Sequence, residues 1–102
     1  MDEAAREAFR EEVTRDFAAN LKRERKAAGL TQEKLGFEAG INRTHVGYLE
    51  RRQRPPELPT IRLLAQALGI SSDRLVDPQI SDTNSSGKEG YSSKKSAARA
   101  WR

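Results

Sequence analysis

Residues 31–51 have the sequence Thr-Gln-Glu-Lys-Leu-Gly-Phe-Glu-Ala-Gly-Ile-Asn-Arg-Thr-His-Val-Gly-Tyr-Leu-Glu-Arg. This pattern predicts two short helices joined by a tight turn at Gly40. A glycine readily adopts the left-handed conformation that ends one helix and turns the chain into the next. Thr31 and Asn42 are suited to begin the two helices, because their side-chain oxygens can accept backbone N–H groups left free in a first turn.

The second of these helices has two different faces. Val46 and Leu49 are three residues apart and are expected to pack inward with Ile41, whereas Arg43 and Thr44 fall on the other side. A short helix, a glycine turn and a helix of this kind are typical of the helix-turn-helix unit, whose second helix lies in the major groove of DNA. The stretch therefore predicts a DNA-binding domain.

The rest of the chain predicts three more helices and no strand. Residues 3–28 lack proline and glycine and carry apolar residues at every fourth position, which predicts one long helix or two helices with a break near Thr14. Pro59 suits the first turn of a fourth helix, and a short fifth helix is expected before Pro78. The predicted fold is all-α, with five helices. The expected divisions are an N-terminal helical extension at 1–14, the helix-turn-helix domain at 15–77 and a flexible basic tail at 78–102.

Charge is unevenly distributed along the chain, whose net charge is +4. Residues 1–20 have a net charge of −3, residues 21–77 of +4 and residues 78–102 of +3. A basic middle and a basic tail fit a domain that binds a polyanion. The absence of cysteine excludes a disulfide scaffold and is compatible with a reducing cytoplasm, where we expect the protein to act. No apolar run approaches the roughly 20 residues that a transmembrane helix needs.

On these motifs the chain resembles the Cro and phage-repressor type of helix-turn-helix regulators. Thr31-Gln32-Glu33-Lys34-Leu35 resembles the Thr-Gln-x-x-Leu opening of that family, Gly40-Ile41 its turn, and Tyr48-Leu49-Glu50-Arg51 the end of its third helix. Asn42-Arg43-Thr44-His45 is similar to the start of the recognition helix in restriction–modification controller proteins, which often have Asp-Arg-Thr-Tyr there. The resemblance implies a lambda-repressor-like fold, double-stranded DNA as the partner and no cofactor.

Two features depart from the pattern of that family. Gly36 stands where the family usually has alanine, and a glycine inside a helix costs roughly 1 kcal/mol relative to alanine. We expect the close approach of a neighbouring helix to compensate for it. The second departure is the acidic N-terminal extension. Its Phe9 and Val13 are expected to pack onto their own domain, with pairing of two subunits as the alternative.

The residue types and the resemblance together predict a DNA-binding set. Arg43 is expected to contact a base, because its guanidinium can donate two hydrogen bonds to guanine, although a phosphate contact remains open. The resemblance implies that Gln32 contacts a phosphate near the positive end of its helix, and that Arg25 and Glu50 form a partly buried ion pair. No ligand cluster accompanies His45, the single histidine, so no metal site is predicted. The predicted DNA-binding residues are Gln32, Asn42, Arg43, Thr44, His45, Tyr48 and, on the phosphate backbone, Arg51, Arg52 and Arg54.

A homodimer is expected, because one recognition helix covers only about half a turn of DNA and two copies can bind two half-sites. The family usually pairs through its fourth and fifth helices. The apolar residues available there are Ile70, Leu75, Val76 and Ile80.

The predicted function is therefore sequence-specific transcriptional regulation, as a repressor-like homodimer on a palindromic operator of a mobile element or restriction system. One alternative is an antitoxin that represses its own operon and binds a protein partner through the tail from Asp77 onward. Another is a protein-interaction module that has lost DNA binding, against which the basic run at 51–54 argues. An enzyme is not predicted, because no paired acids, nucleophile with a base or phosphate-cradling loop occurs at a useful spacing.

Overall fold

The computed structural model describes residues 1–78, and the remaining residues, with Ile80 and most of the predicted tail, lie outside the described part. The helices are α1 (Glu3–Ala27), α2 (Gln32–Ala39), α3 (Arg43–Glu50), α4 (Leu58–Leu68) and α5 (Asp73–Val76). No strand occurs among residues 1–78, which confirms the predicted all-α fold. α1 is one continuous helix, without the break considered near Thr14. None of the helices of residues 1–78 contains an apolar stretch of the length that a membrane span requires.

The starts of three helices are stabilised by side-chain caps. The side-chain oxygens of Asp2, Thr31 and Asn42 each accept a backbone N–H from the first turn of the following helix, at 2.8, 3.0 and 2.7 Å. Caps of this kind contribute typically about 1 kcal/mol each. Thr31 and Asn42 thus begin α2 and α3 as predicted, which fixes where the two helices of the central unit start.

The core lies between the second half of α1 and the other four helices, and burial along α1 begins at Asp16. Its members are Phe17, Leu21, Leu35, Ala39, Val46, Leu49, Ile61, Leu64, Ala65 and Leu75. Leu75 is fully buried, so the prediction that its side chain forms a dimer surface is wrong. The short helix α5 contributes that leucine to the core of its own chain instead.

The first half of α1 lies outside this core. Residues 1–12 are exposed, Phe9 is 55% exposed and Val13 is half-buried. The expectation that Phe9 packs onto its own domain is therefore wrong. Since a helix advances about 1.5 Å per residue, a 25-residue helix is longer than the small core against which its second half packs. The division of the chain at residue 15 stays a prediction.

Candidate nucleic-acid interface

The turn between α2 and α3 brings the two helices close together. Gly40 has a φ of 77°, the left-handed conformation that glycine adopts at least cost. The N–H of Ile41 then donates to the carbonyl of Gly36 at 2.9 Å. A Cβ on Gly36 would lie 2.8 Å from the carbonyl oxygen of Ile41 and 3.2 Å from the backbone nitrogen of Arg43. The expected close approach at Gly36 is therefore made by the turn and by the first residue of α3.

α3 buries one face and exposes the other. Val46 and Leu49 are fully buried in the core, as their spacing predicted. Asn42, Arg43 and Thr44 are exposed at the start of the helix, while His45 and Tyr48 are half-buried. The side-chain oxygen of Asn42 already accepts the N–H of Thr44, so the remaining hydrogen-bonding capacity of Asn42 towards a ligand is mainly its amide NH₂.

A buried network ties α3 to α1 and α2. Nε and Nη2 of Arg25 donate to the two carboxylate oxygens of Glu50 at 2.6 and 3.0 Å. Nη1 of Arg25 donates to the carbonyl of Leu30 at 2.8 Å, and Nε2 of Gln32 donates to Glu50 at 3.0 Å. The hydrogen bond to Glu50 raises the pKa of Arg25, and the charge of Glu50 acts in the same direction, against the effect of burial. The Arg25–Glu50 pair thus holds the end of α3 against the start of α2.

Gln32 takes part in this network, which limits how it can contact DNA. One of its two amide hydrogens is used on Glu50, so a phosphate would meet the second amide hydrogen or the free backbone N–H groups at the start of α2. The sequence did not predict the bond from Gln32 to Glu50, because the two residues are 18 positions apart and only the packing of α2 on α3 brings them together.

A shallow groove of about 500 Å³ lies between the start of α2 and the exposed face of α3. Nη1 of Arg43 lies 3.4 Å from the carboxylate of Glu33 at the groove, and both side chains are well exposed. That pair is long for a hydrogen bond, so Arg43 can leave it at little cost. The groove is lined by Arg25, Thr31, Gln32, Glu33, Arg43, Thr44, Gly47 and Arg51. Glu33 is the acidic residue of this lining, and no pattern in the sequence indicates its position beside Arg43.

Arginines follow α3 and surround the ring of Tyr48. The guanidinium carbons of Arg51 and Arg54 lie 5.7 and 5.5 Å from the ring centroid, within the range of cation–π contacts. Arg52 is the one non-glycine residue of the described part with a positive φ, 64°. Its N–H donates to the carbonyl of Leu49, and the following N–H, of Gln53, donates to the carbonyl of Tyr48. Arg52 thus occupies a helix-ending position that normally favours glycine.

The remaining predicted residues are placed as follows. His45 is half-buried, and no group of three potential metal ligands occurs among the described residues. Of the predicted dimer residues, Ile70 is half-buried and packs against the edge of the core, and Val76 is 41% exposed. Ile80 lies outside the described residues. Within the described part, Val76 is thus the most accessible of the apolar residues proposed for dimer contacts.

Comparison with known proteins supports the same region of the chain. The sequence profile of a family described as helix-turn-helix matches residues 21–75. The uncharacterized HTH-type transcriptional regulator y4dJ of Sinorhizobium fredii is 42% identical over 60 residues, which span 59% of this chain and 78% of that protein. Control protein C.SmaI of Serratia marcescens is 37% identical over 62 residues, which span 61% and 74%.

A solved structure agrees with both matches. The restriction-modification controller protein C.AhdI from Aeromonas hydrophila superposes with a TM-score of 0.59 at 42% identity, over 61% of this chain and 94% of that one. The profile match begins at residue 21, so it leaves out the exposed first half of α1.

Proposed function

The chain belongs to the helix-turn-helix family of transcriptional regulators and is of the controller-protein type, and we propose that it binds a palindromic operator as a homodimer. In this proposal it acts in the cytoplasm and controls genes of a restriction–modification system, because the similar protein C.AhdI is a restriction-modification controller protein. In this proposal the domain at 15–77 binds DNA, and the N-terminal helical extension and the tail are not further DNA-binding domains.

The observation that carries the proposal is the composition of the groove between α2 and α3. It combines the start of α2, the exposed start of α3 and Arg51 on one surface. Free backbone N–H groups at the start of α2 favour an anion, and the contact of Arg43 to Glu33 there is long and exposed. Such a surface fits a phosphate backbone beside a major groove.

Within this surface we assign base contacts to the start of α3. In this proposal Arg43 donates two hydrogen bonds to a guanine, and Thr44 touches a base or a thymine methyl. The amide NH₂ of Asn42 and the ring of His45 lie next to them along the helix. Because specificity comes from base edges, these residues define the operator sequence.

The phosphate contacts are assigned to the two ends of the surface. Gln32 lies at one end, at the start of α2, and Tyr48 lies at the other with Arg51 and Arg54 against its ring. Arg52 is exposed beside them. These residues set affinity and register on the duplex without discriminating between sequences.

Homodimer formation follows from the number of contacts that one copy can make. A single α3 spans about half a turn of DNA, and two copies related by a two-fold axis would contact half-sites about 34 Å apart. The surface proposed for pairing contains Val76 and Ile70, with Ile80 as a third apolar residue of the same segment.

The experiment that tests the proposal is selection of bound fragments from DNA that contains the gene and its neighbours. The expected result is enrichment of one inverted repeat, with half-sites about one helical turn apart. Arg62→Ala is a matched control, because Arg62 is an exposed arginine of α4 that does not line the groove, and it should return the same repeat. Recovery of no enriched motif would contradict specific regulation, and a single unpaired half-site would contradict the dimer.

A further inference from the structure

The first half of α1 presents an exposed aromatic side chain, Phe9, next to the half-buried Val13. Phe9 is 55% exposed and Val13 follows four residues later, so both lie on one side of the helix. This segment precedes the region matched by the helix-turn-helix profile. We therefore expect the first half of α1 to bind something other than the proposed DNA duplex, which lies against α2 and α3 in the proposed function.

The charge of this segment indicates what can cover it. Residues 2–16 contain six acidic residues and three arginines, a net charge of −3. Two copies of this segment would repel each other, and DNA would be repelled as well. The complementary segment is in the same chain: residues 94–102, Lys-Lys-Ser-Ala-Ala-Arg-Ala-Trp-Arg, have four basic residues, no acidic residue and the only tryptophan of the protein.

The path of the chain places this segment within reach. Nδ2 of Asn20 donates to the carbonyls of Leu75 and Asp77 at 3.0 and 2.8 Å, which fixes the end of α5 against α1. Asn20 is seven residues after Val13 and eleven after Phe9, so it lies on the same side of α1. The chain thus leaves the described part about 16 Å along the helix axis from Phe9. Residues 79–102 can extend on the order of 70 Å, so they can reach Phe9 even when they fold back.

We propose that residues 94–102 bind the acidic first half of α1 of the same chain, with Trp101 against Phe9 and Val13. In this proposal the basic side chains of the segment are attracted by the carboxylates of α1, and the indole covers the exposed ring of Phe9. The residues of this contact are different from those that line the groove between α2 and α3 and from those of the proposed dimer surface. The consequence of the contact is that the free protein keeps four basic residues away from DNA until phosphates compete for them.

Because Trp101 is the single tryptophan, the fluorescence of the full-length protein reports on the contact directly. The expected emission is blue-shifted relative to a free peptide of residues 94–102, with weaker quenching by acrylamide. Phe9→Ser should return both properties to those of the free peptide. The matched control is Phe37→Ser, since Phe37 is 80% exposed on α2 and should leave the emission unchanged. Circular dichroism checks that both variants stay helical.

Two matched charge-reversal variants distinguish this contact from nonspecific electrostatic attraction. Glu12 lies three residues after Phe9 and thus on its side of α1, whereas Glu11 lies on the opposite side. Glu12→Lys should shift the emission further towards the free peptide than Glu11→Lys. Salt near 1 M, where screening acts within about 3 Å, should also weaken the contact.

Three results would overturn the proposal. One is an emission of the unaltered protein equal to that of the free peptide. Another is an emission that changes with protein concentration, which would place the segment on a second copy. The third is a loss of dimer in Phe9→Ser during sedimentation with no change in emission, which would assign Phe9 and Val13 to subunit pairing. Operator binding measured on the same variants tests the proposed function separately.

Discussion

The inner and the outer side of α3 are held in opposite ways. On the inner side, Val46 and Leu49 are fully buried, and the side chain of Glu50 is 3% exposed in its pair with Arg25. On the outer side, the side chain of Arg43 is 67% exposed and makes, among the described residues, one long contact of 3.4 Å to Glu33. The comparison shows that buried contacts on the inner side fix the position of α3, while side chains on the outer side stay free to contact a ligand.

This difference is what a DNA-contacting helix needs. A rigid inner side sets the direction in which the outer side chains leave the helix, so that little conformational freedom is lost on binding. An outer side chain already held by a strong pair would have to give it up to reach a base. In this chain the strong contacts hold the inner side of α3, whereas Arg43 on the outer side has a long and exposed contact to Glu33.

Glu50→Ala should have the largest effect on the inner side. It leaves the guanidinium of Arg25 buried without its partner and removes the acceptor of Gln32, and breaking a buried pair costs about 3–5 kcal/mol. The loss is measured as the free energy of unfolding in urea. The control is Glu38→Ala, whose 3.9 Å contact to Lys34 is exposed and should contribute about 0.5 kcal/mol or less. Equal losses in the two variants would show that the inner side is no more strongly held than the surface.

Arg43→Ala should have the largest effect on the outer side, and on binding rather than folding. If Arg43 contacts a guanine, the change costs about 1–3 kcal/mol on the operator and relaxes the preference at one base pair. The free energy of unfolding should change little, because the side chain is mostly exposed. Binding to the operator and to operators changed at one position measures both effects. A uniform loss on all sequences, matching that of Arg54→Ala, would move Arg43 to the phosphate contacts.

Arg52→Gly should raise the free energy of unfolding and weaken binding to DNA. A left-handed conformation costs a non-glycine residue about 1–2 kcal/mol, and the greater freedom of glycine in the unfolded chain offsets roughly 0.5–1 kcal/mol of the relief. We expect a gain near 0.5–1 kcal/mol in the free energy of unfolding. Binding should weaken alike on all sequences, with the salt slope smaller by about one.

The control for Arg52→Gly is Arg54→Gly, which removes the same charge without a left-handed residue to relieve. It should weaken binding and lower stability. If Arg52→Gly also destabilised the protein, the positive φ would not be a source of strain, and the end of α3 would depend on the arginine side chain itself.

Local chemistry explains why the fold could be predicted from the sequence. Thr31 and Asn42 carry their cap acceptors within three residues of the groups that they bind, and Gly40 and Pro59 act on their own backbone. The inward spacing of Val46 and Leu49 is likewise a property of one helix. Features that follow the helical period, or whose interacting groups lie a few residues apart in the chain, can therefore be predicted from the sequence.

Features that depend on tertiary distances could not be predicted. The bond from Gln32 to Glu50 and the position of Glu33 beside Arg43 require the angle between α2 and α3. The exposure of Phe9 depends on where the core ends along α1, since its four-residue spacing continues the buried stripe of Phe17 and Leu21 without a break. The resemblance predicts Leu75 at a dimer surface, and the four-residue helix α5 shows no period that would indicate its buried side instead.

The smallest expected effect is the response of the inner side to alkaline pH. The pKa of Arg25 is raised by its hydrogen bond to Glu50. A group with a raised pKa in the folded state contributes stability that is fully present below its unfolded pKa and is lost as the pH rises through the folded value. Because arginine ordinarily titrates only at strongly alkaline pH, the free energy of unfolding should stay flat between roughly pH 8 and pH 9.5. A fall in that window, measured by urea unfolding at constant salt, would mean that a weaker base than the guanidinium of Arg25 maintains the hold on α3.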